Sequence, residues 1–168
     1  GLDCGISFAK ERLKLLPPGS QIALVPCAVG GSSIKQWLYD SLYRNNKLYS
    51  NILRKSKLAP KIDGVLWMQG ENDANDAMHA EFPLYAVPFF DQLRSNLNCP
   101  IHVALLPSFQ GPYSDSINNH LKKIPGLNLI NTSDLNHKGD TLHFDSNSQR
   151  ILGARFAESV QHTLSDIK

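Results

Sequence analysis

Asp140-Thr141-Leu142-His143 puts a carboxylate three residues ahead of an imidazole. On a loop, that spacing lets the acid hold the ring in one tautomer and orientation, which supplies two members of a Ser-His-Asp hydrolase triad and lacks the serine. The same four residues also read as a turn with a surface histidine. A second block, Gly30-Gly31-Ser32-Ser33, follows an apolar run. Paired glycines let the backbone approach a ligand and leave N–H groups free to face an anion. Gly31 is then an oxyanion-hole donor, or the block is a tight strand-to-helix turn. Neither serine has a glycine after it at the spacing of a G-x-S-x-G elbow, and the lysine of a phosphate loop is missing from its place. In a third block, Gln69-Gly70-Glu71-Asn72-Asp73, the amides of Gln69 and Asn72 suit donation to a developing oxyanion and Glu71 suits acid or base work. The alternative is a polar loop whose Asn and Asp close local turns.

The remaining titratable residues are less pointed. His79 and His137 lie close in sequence to these loops and stand as secondary candidates, whereas His102 falls inside an apolar run that reads as a strand. His120 and His162 have no acid at the spacing seen before His143. Cys4, Cys27 and Cys99 fit no zinc pattern and no disulfide framework; Cys27 ends an apolar run and reads as a buried thiol, while Cys4 and Cys99 pair only if the fold joins them. No clustered ligands point to a metal, and no motif points to a cofactor. Net charge is +2, and the one basic cluster, Arg54, Lys55 and Lys57, has no interleaved aromatics, so it reads as a solvated helix face rather than a nucleic-acid platform. No stretch is long and apolar enough to cross a membrane as a helix.

These blocks need elements to hold them. Apolar runs at 22–25, 64–68, 101–106 and 127–131 read as strands, and residues 7–16, 49–57, 84–97 and 114–123 as helices. A last helix runs from about 146 to 164, with Ser146 as its cap and Gln149 completing a capping box. Strands alternating with helices predict a mostly parallel α/β sheet with helices on both faces, a three-layer sandwich. Such sheets bind ligands at the carboxyl ends of their strands. The loops at 30–33, 69–76 and 132–143 all follow strands, so all three are expected at one edge. At 168 residues, 42% hydrophobic and 19% charged, the chain is expected to form one domain.

Three stretches together resemble the SGNH hydrolase superfamily, in the carbohydrate esterase group that includes acetylxylan esterases and sialate O-acetylesterase-like proteins. They are Leu24 through Trp37, Gly64 through Asp73, and Asp140 through His143 with the helix that follows. The resemblance implies a flavodoxin-like three-layer fold and a carbohydrate O-acetylesterase acting on an acetylated carbohydrate. It implies Gly31 as an oxyanion-hole N–H and Asn72, in the G-x-N-D block, as a second donor, with Gln69 in that role in some relatives. It implies His143 as general base and Asp140 as its acid, with Glu71 as the competing acid. The nucleophilic serine of the superfamily lies in a G-Q-S-N-like block after a central first strand, and this chain has no such block. The expectation is therefore a single domain over residues 1–168 that is incomplete at its N-terminal side. The serine-bearing strand would come from an upstream segment or from a separate chain, and the fragment alone would be inactive. The alternative is a non-catalytic carbohydrate-binding or interaction domain of the same fold, with Trp37 lining a sugar site or filling the core.

Overall fold

A computed structural model describes residues 3–165. The chain runs α1 (Gly5–Lys14), α2 (Ile34–Leu38), β1 (Leu42–Tyr43), β2 (Asn46–Lys47), α3 (Leu48–Ser56), β3 (Val65–Trp67), α4 (Phe82–Leu97), β4 (Ile101–Ala104), a 3₁₀ turn (Ser108–Gln110), α5 (Pro112–Leu121), β5 (Leu127–Ile130) and α6 (Ser146–Ser165). Strands β3, β4 and β5 form one parallel sheet in that order; β1 and β2 form a separate antiparallel hairpin.

Side-chain alternation along the strands divides the interior in two. Val65 and Trp67, Ile101 and Val103, Leu127 and Leu129 face one core, packed with Trp37, Phe82, Phe89, Phe90, Ile117 and Leu121 from α2, α4 and α5. Leu66, Ala104 and Ile130 face the other, packed with Phe8, Leu152, Phe156 and Val160 from α1 and α6. The result is the expected helix–sheet–helix sandwich. In the first core, Trp67 stands edge-on to Trp37 at 5.2 Å and lies 4.7 Å from Phe89, so an aromatic cluster seats α2 and α4 on β3. On the opposite face α1 crosses α6 at Gly153, where a Cβ would come within 2.5 Å of Ser7 Cβ and 2.6 Å of the Cys4 carbonyl oxygen.

Two expectations need correction. Residues 22–25 have no regular secondary structure and belong to no ladder, and Leu24 is 40% exposed. A strand requires a hydrogen-bonding neighbour, and among the described residues β3 pairs with β4 alone, so nothing lies alongside this segment to make it a strand. It is tethered instead by Lys55 Nζ, which donates to the Pro26 carbonyl at 2.6 Å. The cap of α6 is Asp145, whose Oδ1 accepts from Ser148 N at 2.7 Å. A carboxylate one residue before Ser146 wins because it also meets the positive end of the helix. The sequence reading also passed over α2, opened by a capping box in which Ser33 Oγ accepts from Gln36 N and Gln36 Oε1 accepts from Ser33 N, and over the β1–β2 hairpin. The other elements lie within a few residues of expectation.

The three cysteines are free thiols. Burial pushes the Cys4 thiol up to about 11 and raises those of Cys27 and Cys99. Cys27 is only partly buried. No helix is long and apolar enough to cross a membrane among the described residues.

Candidate active site

The loop from β5 to α6 is built to present His143. Its stem is closed by Lys138 N donating to the His143 carbonyl at 2.9 Å and by an antiparallel bridge between His137 and Phe144. Phe109 packs edge-on against Phe144 at 5.6 Å and lies 5.1 Å from the His137 ring, and Gln110 Nε2 donates to the Leu142 carbonyl at 2.8 Å. At the tip, Thr141 takes a φ of 55°, and Asp140 Oδ1 accepts from the backbone N–H groups of Leu142 (3.0 Å) and His143 (2.8 Å). Asp140 Oδ2 then meets His143 Nδ1 at 2.7 Å, with Lys138 Nζ 3.4 Å away. The backbone and side-chain hydrogen bonds from His143, with those from Leu142 and Lys138, hold the Asp140 carboxyl well below the usual carboxylate range. An ionised Asp140 requires a proton on His143 Nδ1, which leaves Nε2 as the basic nitrogen. Nε2 has no hydrogen-bond partner among the described residues, and the side chain is 62% exposed.

A second wall joins the loops after residues 22–29 and after β3. Gly31 has a φ of 79°, the left-handed conformation that a side chain there would strain. Asp73 is fully buried, and its Oδ2 accepts from Ile34 N at 2.9 Å and from Gln69 Nε2 at 2.5 Å. Gln69 Nε2 also donates to the Ser32 carbonyl at 3.0 Å. The Gly30–Ile34 turn is thus fastened to the Gln69–Asp73 loop by one carboxylate and one amide. Burial raises the Asp73 carboxyl. Its Oδ1, and Gln69 Oε1, are buried acceptors with no partner among the described residues.

Glu71 and Asn72 lie on the same loop. Asn72 is exposed. Burial raises the Glu71 carboxyl, opposed first by its own and Gly70's backbone N–H groups and then by the nearby His143 imidazole. The His143 imidazole is thus near enough to the loop after β3 to act on the Glu71 carboxyl electrostatically. All six residues singled out from the sequence therefore belong to three loops, which follow the irregular 22–29 segment, β3 and β5. Only Asp140 is hydrogen-bonded to the imidazole; Glu71 approaches without a bond. Gln69 has both N–H donors committed within the protein.

The other candidates fall outside this cluster. His137 Nδ1 accepts from Gly139 N (3.0 Å) and Thr141 N (3.2 Å), so it braces the loop that carries His143. His79 Nδ1 meets Ser116 Oγ at 2.9 Å, and its ring stacks 4.7 Å from Tyr113. His102 is buried on β4 against Ser159, and burial lowers its imidazole to about 4. Ser32 Oγ is buried between the Val29 carbonyl and Trp37 Nε1, which donates to it at 2.8 Å. Ser33 Oγ caps α2, so neither serine addresses the imidazole. Trp37 is 3% exposed and lies in the core, which removes it as a sugar-lining residue. Sequence reasoning missed the tie made by Asp73; its signal was an acid four residues after Gln69, uninformative until the fold brought Ile34 across from it. Also missed was the β1–β2 hairpin, whose tip reaches Gly31: a Cβ there would lie 3.1 Å from the Tyr43 hydroxyl.

A family model described as carbohydrate esterase, sialic acid-specific acetylesterase, matches residues 1–162. A probable carbohydrate esterase of Arabidopsis thaliana is 30% identical over 172 residues. That alignment takes in 95% of this chain and 63% of the relative, so the chain spans less than two thirds of the relative's length. The X-ray structure of the Arabidopsis protein superposes with a TM-score of 0.85 at 28% identity, over 96% of this chain and 69% of that one. The crystal structure of NanS superposes with a TM-score of 0.76, over 95% of this chain and 70% of that one. At 18% identity that likeness is of fold alone.

Proposed function

The chain belongs to the sialic acid-specific acetylesterase family of carbohydrate esterases, and on that premise we propose that it supplies the histidine and the oxyanion donors of a carbohydrate O-acetylesterase. A serine from outside these 168 residues attacks the acetyl carbonyl while His143 Nε2 takes its proton. Asp140 keeps the ring oriented and stabilises the imidazolium. The Gly31 N–H and the Asn72 side chain receive the tetrahedral oxyanion. The imidazolium gives its proton to the departing sugar oxygen. Water, deprotonated by His143, then cleaves the acyl-enzyme and releases acetate.

The observation that carries this reading is the 2.7 Å bond from Asp140 to His143 Nδ1, with Nε2 left open. It favours Asp140 over Glu71 as the orienting acid. Gln69 is assigned to holding the two oxyanion loops together, because its donors are already used. Three features support a serine-bearing strand from elsewhere in the gene product or from a second chain. The β3 edge facing away from β4 has no partner strand among the described residues, and the apolar residues 22–25 belong to no ladder. Asp73 Oδ1 and Gln69 Oε1 are buried acceptors still in need of donors. The domain over residues 1–168 is read as one hydrolase domain that such a strand completes.

The test is hydrolysis of p-nitrophenyl acetate and of an acetylated oligosaccharide by the full-length gene product, its His143→Ala variant and the 168-residue chain alone. Activity in the first only is expected. His143-dependent hydrolysis by the isolated chain would remove the external serine. An inactive full-length protein that binds the oligosaccharide would leave the non-catalytic domain in its place.

A further inference from the structure

The tip of the His143 loop is held against its local preference. Thr141 has a φ of 55°, a conformation that a β-branched side chain tolerates poorly. Thr141, Leu142 and His143 are all exposed, so packing does little to keep them in place. Their hydrogen bonds run within the loop, with one exception. Among the described residues, the Gln110 amide supplies the one hydrogen bond that reaches residues 138–143 from another element, and it lands on the Leu142 carbonyl at 2.8 Å. A strained conformation persists only where its surroundings over-determine it.

Gln110 can exert that hold because its own backbone is fixed on both sides. Before it, buried Asn118 of α5 closes both bonds on Leu106, accepting its N–H on Oδ1 and donating Nδ2 to its carbonyl, each at 2.8 Å. After it, Gly111 takes φ 94° and ψ −178°, a region almost confined to glycine. The Gly111 carbonyl accepts from the hydroxyl of buried Ser114 at 2.6 Å. The far side of the Gln110 amide has no such match. Its Oε1 is buried with no partner among the described residues. A buried acceptor without a donor lowers stability, and a methionine of similar shape would avoid it. An unsatisfied group of that kind calls for a functional explanation, and the other end of the same amide offers one.

We propose that Gln110 is a positioning residue for His143, which sets the place of Nε2 by holding the Leu142 carbonyl. This rests on the esterase reading above. In that reaction Nε2 takes the proton of the serine hydroxyl, and the imidazolium then gives it to the departing oxygen. A sugar alkoxide needs that proton to leave; p-nitrophenolate leaves as the anion. A misplaced ring therefore costs more with a sugar ester than with p-nitrophenyl acetate, whereas a smaller folded fraction lowers both rates alike.

The experiment compares kcat/KM for an acetylated oligosaccharide and for p-nitrophenyl acetate, with thermal melts, in the full-length protein and its Gln110→Met and Gln110→Glu variants. Both substitutions keep the length of the side chain and remove the amide donor. For the oligosaccharide, kcat/KM is expected to fall roughly 10–100-fold in each variant, and several-fold less for p-nitrophenyl acetate. The Tm of Gln110→Met is expected to hold or rise, because the unpartnered acceptor is removed along with the bond. Equal losses on the two esters, or a fall in Tm that accompanies them, would make Gln110 a structural brace alone and overturn the proposal. Wild-type rates in either variant would overturn it too, and in all these cases the esterase reading stands. Failure of the wild type to hydrolyse either ester removes both.

Discussion

Asp140 accepts two backbone N–H groups on one carboxylate oxygen and the imidazole on the other, so its charge and its direction are both set within four residues. Spacing alone does not fix that geometry: Asp76 and Asp134 also stand three residues before a histidine, yet Asp76 accepts from the Tyr113 hydroxyl and Asp134 pairs with Arg155. The Asp140 charge also persists, since its bonds keep the carboxyl ionised well into acid. Replacing it with Asn leaves an amide that presents an N–H or a differently placed oxygen to His143 Nδ1 and selects the wrong tautomer. In the full-length protein, Asp140→Asn is expected to lower kcat for p-nitrophenyl acetate by roughly 10²–10⁴-fold with little change in Tm, read by initial rates and thermal melts. An equally large loss for Glu71→Gln with a mild Asp140→Asn would move the orienting role to Glu71. The D-x-x-H spacing was legible in the sequence; the burial of Glu71 beside the imidazole was not, because two loops 70 residues apart in the chain create it.

Among the elements, the α1–α6 crossing is the tightest packing and the least expected. Gly153 sits mid-helix in α6 with nothing in the local pattern to explain it. Its reason is contact: a Cβ would meet Ser7 Cβ at 2.5 Å, and the Cys4 carbonyl oxygen and Phe8 N at 2.6 Å, mostly backbone that cannot swing aside. Gly153→Ala gains helix propensity but forces the helices apart, and overpacking of that kind costs about 1–3 kcal/mol. The expected outcome is a lower urea midpoint; an unchanged or higher midpoint would mean that α1 is not docked there. Helix periodicity was legible for α1, α4, α5 and α6. The segment 22–25 reads as a strand by composition, yet its state depends on a neighbour that composition cannot supply.

For the whole molecule, the two cores differ in a titratable group. His102 projects from β4 into the α1–α6 side, and burial lowers its imidazole from 6.5 to about 4. The unfolded chain protonates this histidine first, so the unfolded state binds more protons between those values. Its contribution is complete above about pH 6.5 and is lost as pH falls through about 4, on the order of 3 kcal/mol at most. Stability from chemical denaturation is expected to decline from pH 7 to pH 4. His102→Gln, which keeps a polar contact for Ser159 without the titration, is expected to flatten that decline; an unaltered slope would assign it to other groups.

By itself the sequence determined the helix periodicity, the three strands of the sheet and the sheet–helix layering, and it marked Asp140 and His143 as candidates. These rest on periodicity and on residue type and spacing, which the chain carries locally. Only the tertiary structure decided that Trp37 is core, that Ser32 and Ser33 are occupied, that Asp73 and Gln69 fasten two loops, and that the Tyr43 hydroxyl reaches Gly31. Each of those depends on which residue stands opposite, and that is fixed when long-range packing and burial bring distant segments together.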